Sequence, residues 1–191
     1  MTKTECLRIL STLIDESRLE HSVNVSVCAR DLALKYGADT GKAELTGLIH
    51  DCAKCLTYDK MLELCKKYDL KTDEISKTSR ALLHGPLGAC LARDLFGIDD
   101  DEILSAIACH TTGKKGMNLL DKVVCLADYI EPLRRFDGVE EIRQLAFTDI
   151  DLALLKALEI SIVHVINSGL LLHPATVEAR NELLSLVRDK R

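Results

Sequence analysis

A basic excess is missing from this chain. Its 191 residues carry a net charge of -5 with a pI near 5.7, so it lacks the Lys/Arg stripe of a nucleic-acid backbone binder. The first 21 residues, MTKTECLRILSTLIDESRLEH, hold no long apolar segment and carry acids throughout, so they do not read as a signal peptide. A cytoplasmic, reducing setting is therefore expected, with the 8 cysteines as free thiols packed like small apolar residues. No apolar run reaches bilayer length, and no membrane partner is expected. The most apolar stretch, Ile160 to Leu172, is interrupted by Ser161, His164, Asn167 and Ser168 and is expected to form a buried helix. Alternating strand patterns bounded by hairpin turns are absent, as are repeats, low-complexity tracts and long linkers.

What remains is helical periodicity. Apolar residues recur at three- and four-residue steps, as in Ile103, Ala106, Ile107 and in Leu119, Val123, Leu126. The pattern predicts an all-α chain with helices near 3–15, 18–36, 41–55, 58–68, 73–83, 86–96, 100–111, 118–131, 138–147, 150–171 and 175–189. Gly37 and Gly97 stand where helices should end, Pro86 where one should begin, and Pro132 closes another.

Polar residues interrupt several apolar stripes. His21 opens the stripe Val25, Cys28, Leu32; His110 closes the stripe from Ile103; Asp128 follows Val124 and Cys125 on one face. His50-Asp51 ends the segment LTGLI, in which Gly47 allows another helix to approach, and His84 precedes Gly85-Pro86. A lone inward histidine is more often a hydrogen-bonded core residue than a ligand. A buried carboxylate, however, costs several kcal/mol unless a cation, a metal or several donors accompany it. Four histidines and two aspartates together could build a mixed N/O metal site, which suits iron, manganese or zinc better than magnesium alone. Lys54 shares a face with His50 and Asp51.

Cys52-Ala53-Lys54-Cys55 is a C-x-x-C without the second cysteine or histidine pair of a structural zinc site and without a βαβ context, so it is expected to be packing. Cys6, Cys28, Cys65, Cys90, Cys109 and Cys125 fall mostly at apolar-periodic positions. His164 is expected as a satisfied core or interface histidine, His173 as a helix end, and Lys114 and Lys115 as solvated loop charges.

The order His21, His50-Asp51, Asp128 resembles the HD superfamily of metal-dependent phosphohydrolases, and His84 and His110 resemble its dinuclear branch. The phrases RLEHS (18–22), GLIHDCAK (47–54), LLHGPLGA (82–89), ACHTTG (108–113) and LADYIEP (126–132) resemble the YqeK family of symmetrical diadenosine tetraphosphate hydrolases. The resemblance implies a single HD-domain helical bundle over 1–191, with a motif-bearing core at about 18–135 and C-terminal helices at about 138–190. It implies a dinuclear iron site, with manganese, magnesium or zinc as substitutes, and hydrolysis of diadenosine tetraphosphate to two ADP by a metal-activated hydroxide. His21, His50, Asp51 and Asp128 would hold one metal and His84, His110 and Asp51 the other. Cys52 stands where the family phrase has another residue.

In that reading Asp51 and Lys54 are catalytic, Lys54 by stabilising charge on the transferred phosphoryl group. Arg18, Arg80, Arg134 and Arg135 are candidate phosphate contacts, since guanidinium forks match phosphate oxygens. Thr111, Thr112 and Gly113 offer hydroxyls or backbone N–H groups. Other classes stay open: a hydrolase of another nucleotide, an iron oxygenase, or a non-catalytic nucleotide-binding regulator. Turnover under strict anaerobiosis separates hydrolase from oxygenase. The apolar C-terminal helices are compatible with a homodimer.

Overall fold

The computed structural model describes residues 2–190, and no strand occurs among them. The helices are α1 (Lys3–Leu10), α2 (Glu16–Tyr36), α3 (Thr40–Ile49), α4 (Tyr58–Lys67), α5 (Arg80–Phe96), α6 (Asp101–Cys109), α7 (Leu119–Ile130), α8 (Val139–Ala146), α9 (Ile150–Asn167) and α10 (Pro174–Asp189). Their starts are written in the sequence. Asp15, Asp39, Thr57, Asp100, Asn118 and Asp149 each accept a backbone N–H from the first turn that follows. α2 and α5 end on Gly37 and Gly97, with φ of 76° and 64°.

α7 is the central helix, packing against α2, α3, α6, α8 and α9. Its run Val123, Val124, Cys125, Leu126, Ala127 is buried without a polar break, as a helix surrounded by others requires. Two glycines set the closest approaches. A Cβ on Gly47 would lie 2.9 Å from Ser26 Cα of α2, and one on Gly85 would lie 2.8 Å from the Ala108 carbonyl oxygen of α6. These contacts bring α3 against α2 and α5 against α6, next to His50 and His84.

Several expected boundaries differ. The helix expected over 41–55 stops at Ile49, and residues 50–55 turn instead. The helix expected over 73–83 is only a 3-10 turn, Ser76–Thr78, ahead of α5. Pro86 does not start a helix but lies inside α5. Its ring forfeits one backbone bond, and burial of Leu83, Leu87 and Leu91 on the flanking turns holds the helix together. α9 ends at Asn167, short of the expected 171. The stretch Ile160 to Leu172 is also not buried: full burial on α9 stops at Leu158, and Val163, Ile166, Leu170 and Leu171 are exposed. Hydropathy reports composition, and here the packing partners run out before the apolar run does.

Candidate metal centre

Five helices and one turn deliver the inward polar residues. His21 lies on α2, His84 on α5 and Asp128 on the last turn of α7, while His50 and His110 are the C-cap residues of α3 and α6. Asp51 begins the turn after α3. All four histidines and Asp51 are buried, and Asp128 is partly buried.

Asp51 stands at the middle of the cluster. Its Oδ1 is 3.1 Å from His84 Nε2 and 3.5 Å from His110 Nε2, and its Oδ2 is 3.6 Å from His50 Nε2 and 3.8 Å from His21 Nε2. Asp128 Oδ1 joins the second group, 3.0 Å from His21 Nε2 and 3.9 Å from His50 Nε2. One carboxylate therefore faces two histidine pairs with its two oxygens. Three overlapping triads have donor atoms within 4.8 Å of one another: His21/His50/Asp51, His50/His110/Asp128 and Asp51/His84/His110.

The tautomers follow from what the other ring nitrogens touch. His50 Nδ1 lies 2.6 Å from the Gly47 carbonyl, His110 Nδ1 2.7 Å from the Ile107 carbonyl, and His21 Nδ1 3.1 Å from Glu131 Oε1. Carbonyl and carboxylate oxygens only accept, so each Nδ1 carries a proton and Nε2 is the nitrogen turned inward. His21 Nε2, His50 Nε2 and Asp51 Oδ1 are buried without a hydrogen-bond partner; the 3.0 Å approach of His21 Nε2 to Asp128 lies off hydrogen-bonding alignment. His84 Nε2 and His110 Nε2 lie 2.9 Å apart. Two imidazole nitrogens and a carboxylate oxygen left unpartnered in the interior, beside this pair, suit a cation.

Protonation favours the same arrangement. Burial pushes His50 and His84 down to about 4, so their rings are neutral at physiological pH. Burial alone would raise Asp51, yet the imidazoles of His50, His110 and His84 and the Lys54 charge hold its carboxyl well below the usual range. Asp128 is likewise held low against burial, by His21 and Arg134. Side-chain cations already crowd in. Lys54 Nζ is 3.1 Å from His84 Nε2 and 3.7 Å from Asp51 Oδ1, and Arg18 Nη1 is 3.1 Å from Asp51 Oδ2.

The candidate phosphate contacts divide. Arg18 and Lys54 reach the cluster, and Arg134 hydrogen-bonds the Asp128 carboxylate. Thr111 Oγ1 lies 3.1 Å from His110 Nε2 and 3.2 Å from His84 Nε2. Arg80 stands beside Lys54, 3.3 Å from its carbonyl oxygen. Three others make their contacts away from the cluster. Thr112 donates to the Gly113 carbonyl, a Cβ on Gly113 would lie 2.9 Å from Ala179 of α10, and Arg135 donates to the Pro132 and Arg134 carbonyls. Lys114, expected to be solvated, pairs with buried Asp121 at 2.9 Å.

The cysteine pair takes no part in the cluster. Cys52 is buried, its thiol pushed up to about 12 by that burial, and its Sγ lies 3.5 Å from the Gly88 carbonyl. Cys55 is exposed, and no disulfide is formed among the described residues.

The HD domain family model matches residues 18–133. The chain belongs to the HD-domain family. It is 39% identical to a protein of Halalkalibacterium halodurans named bis(5'-nucleosyl)-tetraphosphatase, symmetrical, over 96% of this chain and 98% of that one. It is 36% identical to a Bacillus subtilis protein of the same name, over 97% and 99% of the two chains. Among solved structures it is similar to a "predicted HD superfamily hydrolase involved in NAD metabolism" from Clostridium acetobutylicum. That similarity has a TM-score of 0.93 and 42% identity over 97% of this chain and 98% of the other.

Two features of this HD chain were not read from its residues alone. Glu131 lies inside the phrase LADYIEP, yet nothing in helical periodicity singles it out, because it caps α7 instead of extending its stripe. It is buried, with Oε1 on His21 and Oε2 accepting the Leu133 N–H at 2.7 Å. The second is a cleft of about 700 Å³ beside the cluster, with Lys54, His110, Thr111, Asp128 and Arg134 along it. His164 lines the same cleft and is exposed, so it is not the core histidine that was one of its two expected places.

Proposed function

We propose that this HD protein hydrolyses diadenosine tetraphosphate symmetrically, to two ADP, at the cluster centred on Asp51. The observation that carries the reading is Asp51 itself, one carboxylate with an oxygen towards each histidine pair, in a chain whose near-full-length relatives bear the name of that activity. His21, His50, Asp128 and Asp51 Oδ2 would hold one cation, and His84, His110 and Asp51 Oδ1 the other. Iron is proposed for both positions, with manganese, zinc or magnesium as substitutes; imidazole and carboxylate donors in this ratio favour iron, manganese or zinc. A bound pair of such cations supplies a nucleophile from water at neutral pH and neutralises charge on phosphate oxygens.

The chain's own residues do the rest. Water adds to a phosphorus next to the central bridging oxygen, the bond from that phosphorus to the bridge breaks, and each half leaves as a nucleoside diphosphate. Lys54, partly exposed at the mouth of the cluster, stabilises the charge that builds on the phosphoryl oxygens. Arg18 and Arg134, paired with Asp51 and Asp128 here, would be free to turn towards the polyphosphate when cations take those carboxylates. Thr111 donates its hydroxyl from the loop after His110. Buried, neutral His50 and His84 keep their lone pairs available. No described helix is long and apolar enough to cross a membrane, which is consistent with the cytoplasmic site of action proposed here.

Product identity tests the reading. Metal-loaded protein incubated with diadenosine tetraphosphate should yield ADP alone on anion-exchange chromatography. Equal amounts of AMP and ATP would mean attack at an outer phosphorus and would overturn it.

A further inference from the structure

The cleft beside the cluster has two unlike walls. Lys54, Thr111 and Arg134 on one side suit phosphate. The other side is built from Phe136, Ile160, Val163, His164 and Asn167, and phosphate chemistry does not account for it. Val163 is 56% exposed and Ile166, nearby on α9, is 60% exposed, so this helix turns apolar surface outward where its first half is buried. The loop carrying Phe136 is pressed against α9: at Gly138, φ is 92° and a Cβ would lie 2.8 Å from Ile160 Cδ1. Phe136 and Ile160 thus line one cleft from adjoining segments.

We infer that this second wall, Phe136 with Ile160, His164 and Asn167, is a nucleobase site for the nucleoside diphosphate half of the substrate beside the cluster. The inference rests on the hydrolase reading above. A cleft of about 700 Å³ is the size of a site for one nucleotide. A base has a flat π-face for Phe136 and apolar edges for Ile160. The Asn167 amide offers a donor and an acceptor side by side, the pair that matches the edge of adenine. Asp137 also lines the cleft, and its carboxylate repels phosphate while accepting from an exocyclic amine. Charge thus orients the ligand, with phosphates towards Lys54 and Arg134 and the base towards α9.

Calorimetric titration of ADP and of inorganic pyrophosphate into metal-loaded protein separates the two walls. Wild-type protein should bind ADP at least about tenfold more tightly than pyrophosphate. Asn167→Ala, at an exposed helix end, should weaken ADP about fivefold, and Phe136→Leu, which keeps the apolar packing, about tenfold. Pyrophosphate binding should stay within about twofold in both variants. Equal loss for ADP and pyrophosphate, or no loss for either, would overturn the base site. A wild-type protein that shows this base-dependent pattern without cleaving diadenosine tetraphosphate keeps the site and removes the hydrolase reading. Symmetrical cleavage with a flat pattern removes the site alone.

Discussion

His50 and His110 close α3 and α6 in the same way, each returning Nδ1 to the carbonyl three residues earlier, at 2.6 and 2.7 Å. His21 and His84 sit inside α2 and α5 without that local anchor. His21 takes its Nδ1 partner from Glu131, 110 residues away, and His84 Nδ1 has none. Each histidine pair facing Asp51 thus contains one ring anchored within its own helix and one without that anchor, and of the latter only His21 has a remote Nδ1 partner. A locally held ring is oriented as soon as its helix ends. A remotely held ring is oriented only when the distant segment docks, and a single distant side chain can release it.

The largest effect should come from the residue both pairs share. Asp51→Asn removes the charge between them and should lower turnover about a thousandfold or more; steady-state assays with diadenosine tetraphosphate check this. Retention of a tenth of wild-type turnover would separate Asp51 from the chemistry.

Acid should destabilise both kinds of ring alike, through burial and not through anchoring. His50 and His84 fall from 6.5 to about 4, so between those values the unfolded chain binds more protons than the folded one. Stability must therefore rise with pH across that window and be lost as pH falls from about 6.5 to 4, by about 3 kcal/mol per ring. Denaturant melts of chelator-treated protein at pH 7 and 4.5 measure it. Equal stability at the two values would mean that the rings are hydrated.

Glu131 breaks the comparison selectively. Glu131→Ala should free His21 and weaken metal binding on its side of Asp51 about 10- to 100-fold, leaving the His84/His110 side within about twofold. Glu131→Gln still accepts from Nδ1 and should lose less. Metal titrations that resolve two sites report both, and equal weakening of the two would show that Glu131 acts on the fold instead.

Legibility followed the same division. His21, His110 and Asp128 are legible as polar breaks in apolar helical stripes, while His50-Asp51 and His84 stand out by their neighbours and by the family phrases. Gly47 was readable as a point of close approach because only hydrogen fits there. Glu131 was not, since its partner His21 is remote in sequence. The end of α9 was misread because hydropathy says that Ile160 to Leu172 prefers burial, while only the fold decides whether neighbours exist to bury it. The single helix through Pro86 depended on packing in the same way. Thr112, Gly113 and Arg135 share loops with Thr111 and Arg134, but their own contacts are with the Gly113 carbonyl, Ala179 and the Pro132 carbonyl, away from the cluster.

The proposed centre would hold two cations through one shared carboxylate, Asp51. Metal content per chain of protein purified without chelator, compared between wild type and Asp51→Asn after identical loading, tests this most directly. Two ions per wild-type chain, with both sites weakened together in the variant, is the expected result. One ion per wild-type chain, or a variant that still binds two, would contradict it.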